Sequence, residues 1–126
     1  MTKEAIKEAF ASKLVGNAKM QAYVLTLLTH LPETVAFFVT QHVWFVASFD
    51  DAWAFTFVGS DFGNKHVIFL SDELLTQNDR QIYWTICHEI GHVILGHKNR
   101  FTEKFGKEII DEQEKEADAF AEKYLN

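Results

Sequence analysis

Apolar residues recur at helical spacing in the first third of the chain. Ile6, Ala9, Phe10 and Leu14 share one side of a segment that Thr2 can cap, and the spacing predicts a helix to about Val15 with Gly16-Asn17 as its stop. Tyr23, Val24, Leu27 and Leu28 predict a second helix over Ala18 to His30. Pro32 reads as the first position of a third, running to about Gln41. The pattern then changes. Val43 to Phe49 and Ala52 to Val58 are β-branched and aromatic, separated by the turn signal Asp50-Asp51, and predict an antiparallel hairpin. Gly59-Ser60 closes the second run, Asp61 to Asn64 reads as another turn, and His66 to Leu70 as a third strand.

Helical spacing returns after Ser71-Asp72-Glu73, which can cap a short turn. Asn78 or Asp79 can cap a helix to about Leu95, with Gly96 near its end. Its residues Ile82, Thr85, Ile86, Ile90, Val93 and Ile94 are expected to pack on the sheet. Ile109, Ile110, Ala117, Phe120, Ala121 and Tyr124 predict a last helix over about Glu108 to Tyr124. Helices, then a small three-stranded antiparallel or mixed sheet, then two helices give an α+β class. With 126 residues and no linker-like tract, a single domain spanning 1–126 is expected.

Composition narrows the function. The formal charge of −6 disfavours a nucleic-acid partner, which needs a basic surface. The aromatic residues of the predicted hairpin are not interleaved with basic ones, so they read as core. The lone cysteine, Cys87, excludes an internal disulfide. The charged start Met1 to Glu8 has no signal-peptide core, and Val35 to Val39 and Val43 to Phe49 are too short to span a bilayer. A cytoplasmic protein without a membrane partner is the expectation.

The chemistry lies in His88-Glu89-Ile90-Gly91-His92. Histidines four residues apart share one helix face, so both imidazoles can hold one metal ion, with Glu89 placed to take a proton from water. A catalytic zinc site needs a third protein ligand. The last helix offers Glu112, Glu114 and Glu116, and spacing alone does not choose among them. Glu114 and Glu116 lie at opposite edges of the apolar stripe, with Glu112 further away. Gly91 reads as a place of close helix packing. Asp118 is either a partner for a metal-bound histidine or solvent-exposed. His97 reads as a helix-end histidine facing the carbonyl dipole. Tyr83, His97, His66 and Tyr124 are candidates to steady an oxyanion. Cys87 points about 100° away from His88 on the helix and is not a ligand candidate.

Three blocks, Ile68-Phe69-Leu70, Ile82 to His97, and Glu116-Ala117-Asp118-Ala119-Phe120-Ala121, resemble the ImmA/IrrE family of zinc metallopeptidases, over a span expected to run from Pro32 to the end. The resemblance implies a zincin-like fold, with Zn2+ held by His88, His92 and Glu116 and with Glu89 as general base. It further implies that Val67 to Leu70 is an edge strand beside the metal helix, where an extended substrate can pair. Its implied substrate is a cytoplasmic protein such as a helix-turn-helix repressor of a prophage, mobile element or stress response. The alternative is a metal-bound regulatory or toxin–antitoxin-type binding module with little proteolysis. A metzincin would need a glycine where Leu95 stands and a histidine where Lys98 stands. A deformylase would need an upstream glutamate-glycine-cysteine motif, which the chain lacks.

Overall fold

The computed structural model describes residues 1–48, 54–58, 65–97 and 107–125, with the backbone alone for 54–58 and 107–109. The predicted turns at Asp50-Asp51 and Asp61 to Asn64 lie outside the described residues.

The first helix, α1 (Lys3–Phe10), starts where the Thr2 hydroxyl accepts from the Ala5 amide. It ends earlier than its apolar spacing predicts. Ala11 turns the chain at φ 54°, and Leu14–Val15 becomes a short strand, β1. Leu14 pairs opposite Phe45, and the Lys13 carbonyl accepts from the Phe45 amide at 2.9 Å. Pairing with the sheet outweighs a last helical turn, which gains less than the ladder bonds and the burial of Leu14.

Helix α2 (Ala18–His30) is capped by Asn17, whose side chain accepts from the Met20 amide. Helix α3 (Glu33–His42) follows Pro32, which sits one place outside the helix. It runs straight into strand β2 (Val43–Ser48). Strands β3 (Ala54–Val58) and β4 (His66–Ser71) complete a sheet of order β1-β2-β4-β3.

Here the predicted hairpin is corrected. β2 does not pair with β3. Instead β2 runs parallel to β4, with Phe45 opposite Ile68, and β3 runs antiparallel to β4, with Thr56 opposite Ile68. Among the described residues the sheet therefore has four strands rather than three: a parallel set of β1, β2 and β4, with β3 antiparallel at one end. The physical reason is the make-up of β4. Val67, Ile68 and Leu70 are all buried, and a strand buried on both faces belongs inside a sheet. The expectation that Val67 to Leu70 forms an edge is corrected by the same observation, because β3 holds that place.

After a 3-10 turn (Leu74–Thr76), Asn78 caps α4 (Asp79–Ile94) by accepting from the Gln81 amide at 2.8 Å. Gly96, at φ 72°, ends that helix in the left-handed conformation. Helix α5 (Lys107–Leu125) closes the chain. Ile82, Ile86 and Ile90, fully buried, are spaced one turn apart and lock α4 into a core with Leu27, Leu28, Phe45, Ile68 and Leu70. Each such side chain contributes about 1.5–3 kcal/mol of burial. Phe10 and Phe45 meet edge to face at 5.8 Å between ring centres, joining α1 to the sheet.

Between Ile86 and Val93 every residue of α4 is buried. The apolar core takes one side; α5 covers another. Three polar side chains, His88, Glu89 and His92, are thus carried into the interior. Among the described residues, no helix is long and apolar enough to cross a membrane.

Candidate metal centre

His88 and His92 are one turn apart on α4, and their Nε2 atoms approach to 3.2 Å. Glu114 reaches across from α5 and places Oε2 3.0 Å from His88 Nε2 and Oε1 3.4 Å from His92 Nε2. One donor atom from each of these three residues fits within a span of 4.8 Å. A tetrahedral ion with bonds of about 2.0–2.1 Å holds its ligand atoms about 3.3–3.4 Å apart. The 3.2 Å between the imidazole nitrogens is close to that value, each of them has one Glu114 oxygen at 3.0 or 3.4 Å, and two imidazole nitrogens with a carboxylate form a donor set suited to zinc. The residues present therefore fit a divalent cation.

Glu116 does not join this cluster. Its Oε1 lies 3.4 Å from His97 Nε2. The carboxylate that the structure brings to the two histidines is that of Glu114, one of the alternatives that spacing leaves open, while the Glu116 carboxylate that the resemblance implies lies against His97. Helix geometry gives the reason. Ala117 and Ala121, fully buried, mark the side of α5 that is packed inward. At about 100° per residue, Glu114 lies about 60° from Ala117 and about 20° from Ala121, whereas Glu116 lies about 100° and 140° away. The small alanines were the available signal.

Each metal-facing imidazole also has a neighbour at its other nitrogen. His88 Nδ1 lies 2.8 Å from Asp118 Oδ1, an ion-pair contact out of line for a full hydrogen bond. Asp118 is thus a partner of a site histidine, one of its two expected placements. His92 Nδ1 lies 2.8 Å from His97 Nδ1, a partnership that the reading of His97 as a dipole-facing histidine misses. Trp84, one turn before His88, stacks on its ring with centres 5.2 Å apart and planes 25° from parallel.

Glu89, next to His88, is 5% exposed. The Glu114 side chain is 37% exposed, so the centre opens towards solvent on the α5 side. Cys87 is fully buried in the apolar core, and burial pushes its thiol pKa up to about 12. Of the oxyanion candidates, His97 alone touches the cluster described above. Tyr83 packs on Tyr23, Tyr124 on Phe120, and His66 starts β4.

A helix that carries two imidazoles and a buried glutamate against a carboxylate of a second helix has the parts of a metallopeptidase domain of the His-Glu-x-x-His type. Residues 48–125 match the family model described as the IrrE N-terminal-like domain, a peptidase family, and that span contains the whole cluster. The chain belongs to this family of metallopeptidase domains. Searches of curated proteins and of solved structures returned no significant match.

Proposed function

We propose that this chain is a zinc-dependent endopeptidase of zincin-like fold that hydrolyses a peptide bond in a cytoplasmic protein, with a helix-turn-helix repressor as the substrate class. The observation that carries the reading is the convergence of His88 Nε2, His92 Nε2 and the Glu114 carboxylate within 4.8 Å, on helices contained in the matched family span. In this assignment His88, His92 and Glu114 hold the ion and Glu89 is the catalytic base. When bound, Zn2+ supplies Lewis acidity that polarises the scissile carbonyl and makes water more acidic. Glu89 accepts the proton of the attacking water and delivers it to the leaving amine. Its burial favours this role by keeping bulk water from competing for that proton.

The outer edge of β3 is the natural place for an extended substrate to add a strand, since among the described residues β3 ends the sheet and α4 packs against it. Glu89→Gln tests the assignment. The expected outcome is loss of cleavage of a co-expressed repressor with zinc content retained. Biological function that persists in that variant would overturn the peptidase reading in favour of a metal-bound binding module.

A further inference from the structure

We propose that His97, backed by Glu116, is a positioning residue that locks the His92 ring with its Nε2 lone pair turned towards His88 and Glu114. The inference rests on the metal-site reading above and extends it to residues outside the ligand set.

A neutral imidazole that offers Nε2 as a ligand must carry its proton on Nδ1. His92 Nδ1 lies 2.8 Å from His97 Nδ1, so one of the two nitrogens donates and the other accepts. If His92 donates, His97 must hold its own proton on Nε2. That atom is buried and faces the Glu116 carboxylate at 3.4 Å, within ion-pair range. The carboxylate favours a proton on His97 Nε2, which leaves His97 Nδ1 as an acceptor. The acceptor in turn fixes the proton of His92 on Nδ1 and frees Nε2. The reverse order would place the His92 proton on Nε2, where it would block that nitrogen as a ligand, and would turn the His97 Nε2 lone pair on a carboxylate.

The backbone supports the arrangement. The His97 amide donates to the His92 carbonyl at 3.0 Å, so the bend after α4 returns the His97 ring to the His92 ring. The rings meet at 5.1 Å between centres with planes 62° apart. His88 has a direct carboxylate neighbour in Asp118, whereas His92 reaches its carboxylate through an intervening imidazole. The acidic run of α5 thus has three placements: Glu114 is one corner of the donor triangle, Asp118 lies beside His88, and Glu116 lies beside His97.

The test uses the full chain and reads Zn2+ affinity by competition with a chromophoric chelator, together with the His92 tautomer from long-range 1H–15N correlations in metal-free protein. His97→Ala is expected to bind Zn2+ about 10–100-fold more weakly, the usual effect of losing such an outer partner. His97→Asn, which returns a carbonyl acceptor near the place of Nδ1, is expected to restore most of the affinity. Glu116→Ala should fall between them. In wild type His92 should be the Nδ1–H form, and in His97→Ala a mixture of both forms. Unchanged affinity and an unchanged tautomer in a folded His97→Ala protein would overturn the proposal. If that variant does not fold, His97→Asn and Glu116→Ala decide by the same two readings. A failed metal-site reading gives another pattern: wild type takes up no Zn2+, while the tautomer still responds to position 97.

Discussion

A methyl group on Gly91 would lie 3.1 Å from Phe120 Cβ and 3.2 Å from its ring carbons Cγ and Cδ1. Gly91 thus sets how closely α5 can lie on α4, and α5 carries Glu114 to the histidines. Gly91→Ala should force Phe120 outward. The strain of overpacking, about 1–3 kcal/mol, exceeds the gain of about 1 kcal/mol from replacing a helical glycine by alanine. Urea denaturation should show net destabilisation of about 1 kcal/mol, and chelator competition should show weaker Zn2+ binding.

Glu114 and Glu116 should separate cleanly in metal content. Glu114→Ala removes a donor from the triangle and should drop Zn2+ well below one equivalent after reconstitution and desalting. Glu116→Ala removes only the carboxylate behind His97 and should still reach one equivalent at saturating Zn2+. Elemental analysis of the two purified variants checks the order, and the reverse order would restore Glu116 as the ligand.

Burial holds the Cys87 thiol protonated, with its pKa pushed up to about 12. The unfolded value is about 8.5. The folded protein therefore keeps a proton that the unfolded chain releases, so this group's contribution is complete below about pH 8.5 and is lost as pH rises towards 12. Native protein at pH 8 should resist iodoacetamide and react on unfolding in urea. Mass spectrometry of the alkylated chain reads the result.

His66 should make the fold acid-sensitive. Burial lowers its pKa, with the charge of nearby His42 as the second cause, and its buried Nδ1 lacks a hydrogen-bond partner. Between the folded value and about 6.5 the unfolded chain binds the extra proton, so stability is present above about pH 6.5 and falls as pH drops below it. Urea midpoints of wild type and His66→Phe over the range between pH 5 and pH 8 should diverge on the acid side, with wild type losing more.

The helices and the His-Glu-x-x-His pair were legible because both depend on local spacing. Asn78 caps α4 as its side-chain chemistry requires, and His88 and His92 share a face because the helix repeats every 3.6 residues. Strand pairing is a choice among distant partners, and no local pattern reports it. The runs at 43–49 and 52–58 look like a hairpin, yet β4 takes both as neighbours, one on each hydrogen-bonding edge, and its buried apolar run suits that interior place. Glu114 was hidden for a related reason. Three glutamates lie within five residues, and only the packing of Ala117 and Ala121 tells which of them faces α4. His97 depends on a bend after the helix, which spacing rules for a continuous helix do not cover.

The place of β4 between β2 and β3 also bears on how the chain assembles as it is synthesised. β3 leaves the ribosome before β4 does, and its sheet partner among the described residues is β4 alone. Until about residue 71 has emerged, β3 lacks its described sheet partner, and it is then added to the outside of a strand made after it. The sheet is completed out of sequence order, with β4 entering between two strands made before it. The strand proposed to pair with substrate is thus also the one whose described partner is made last.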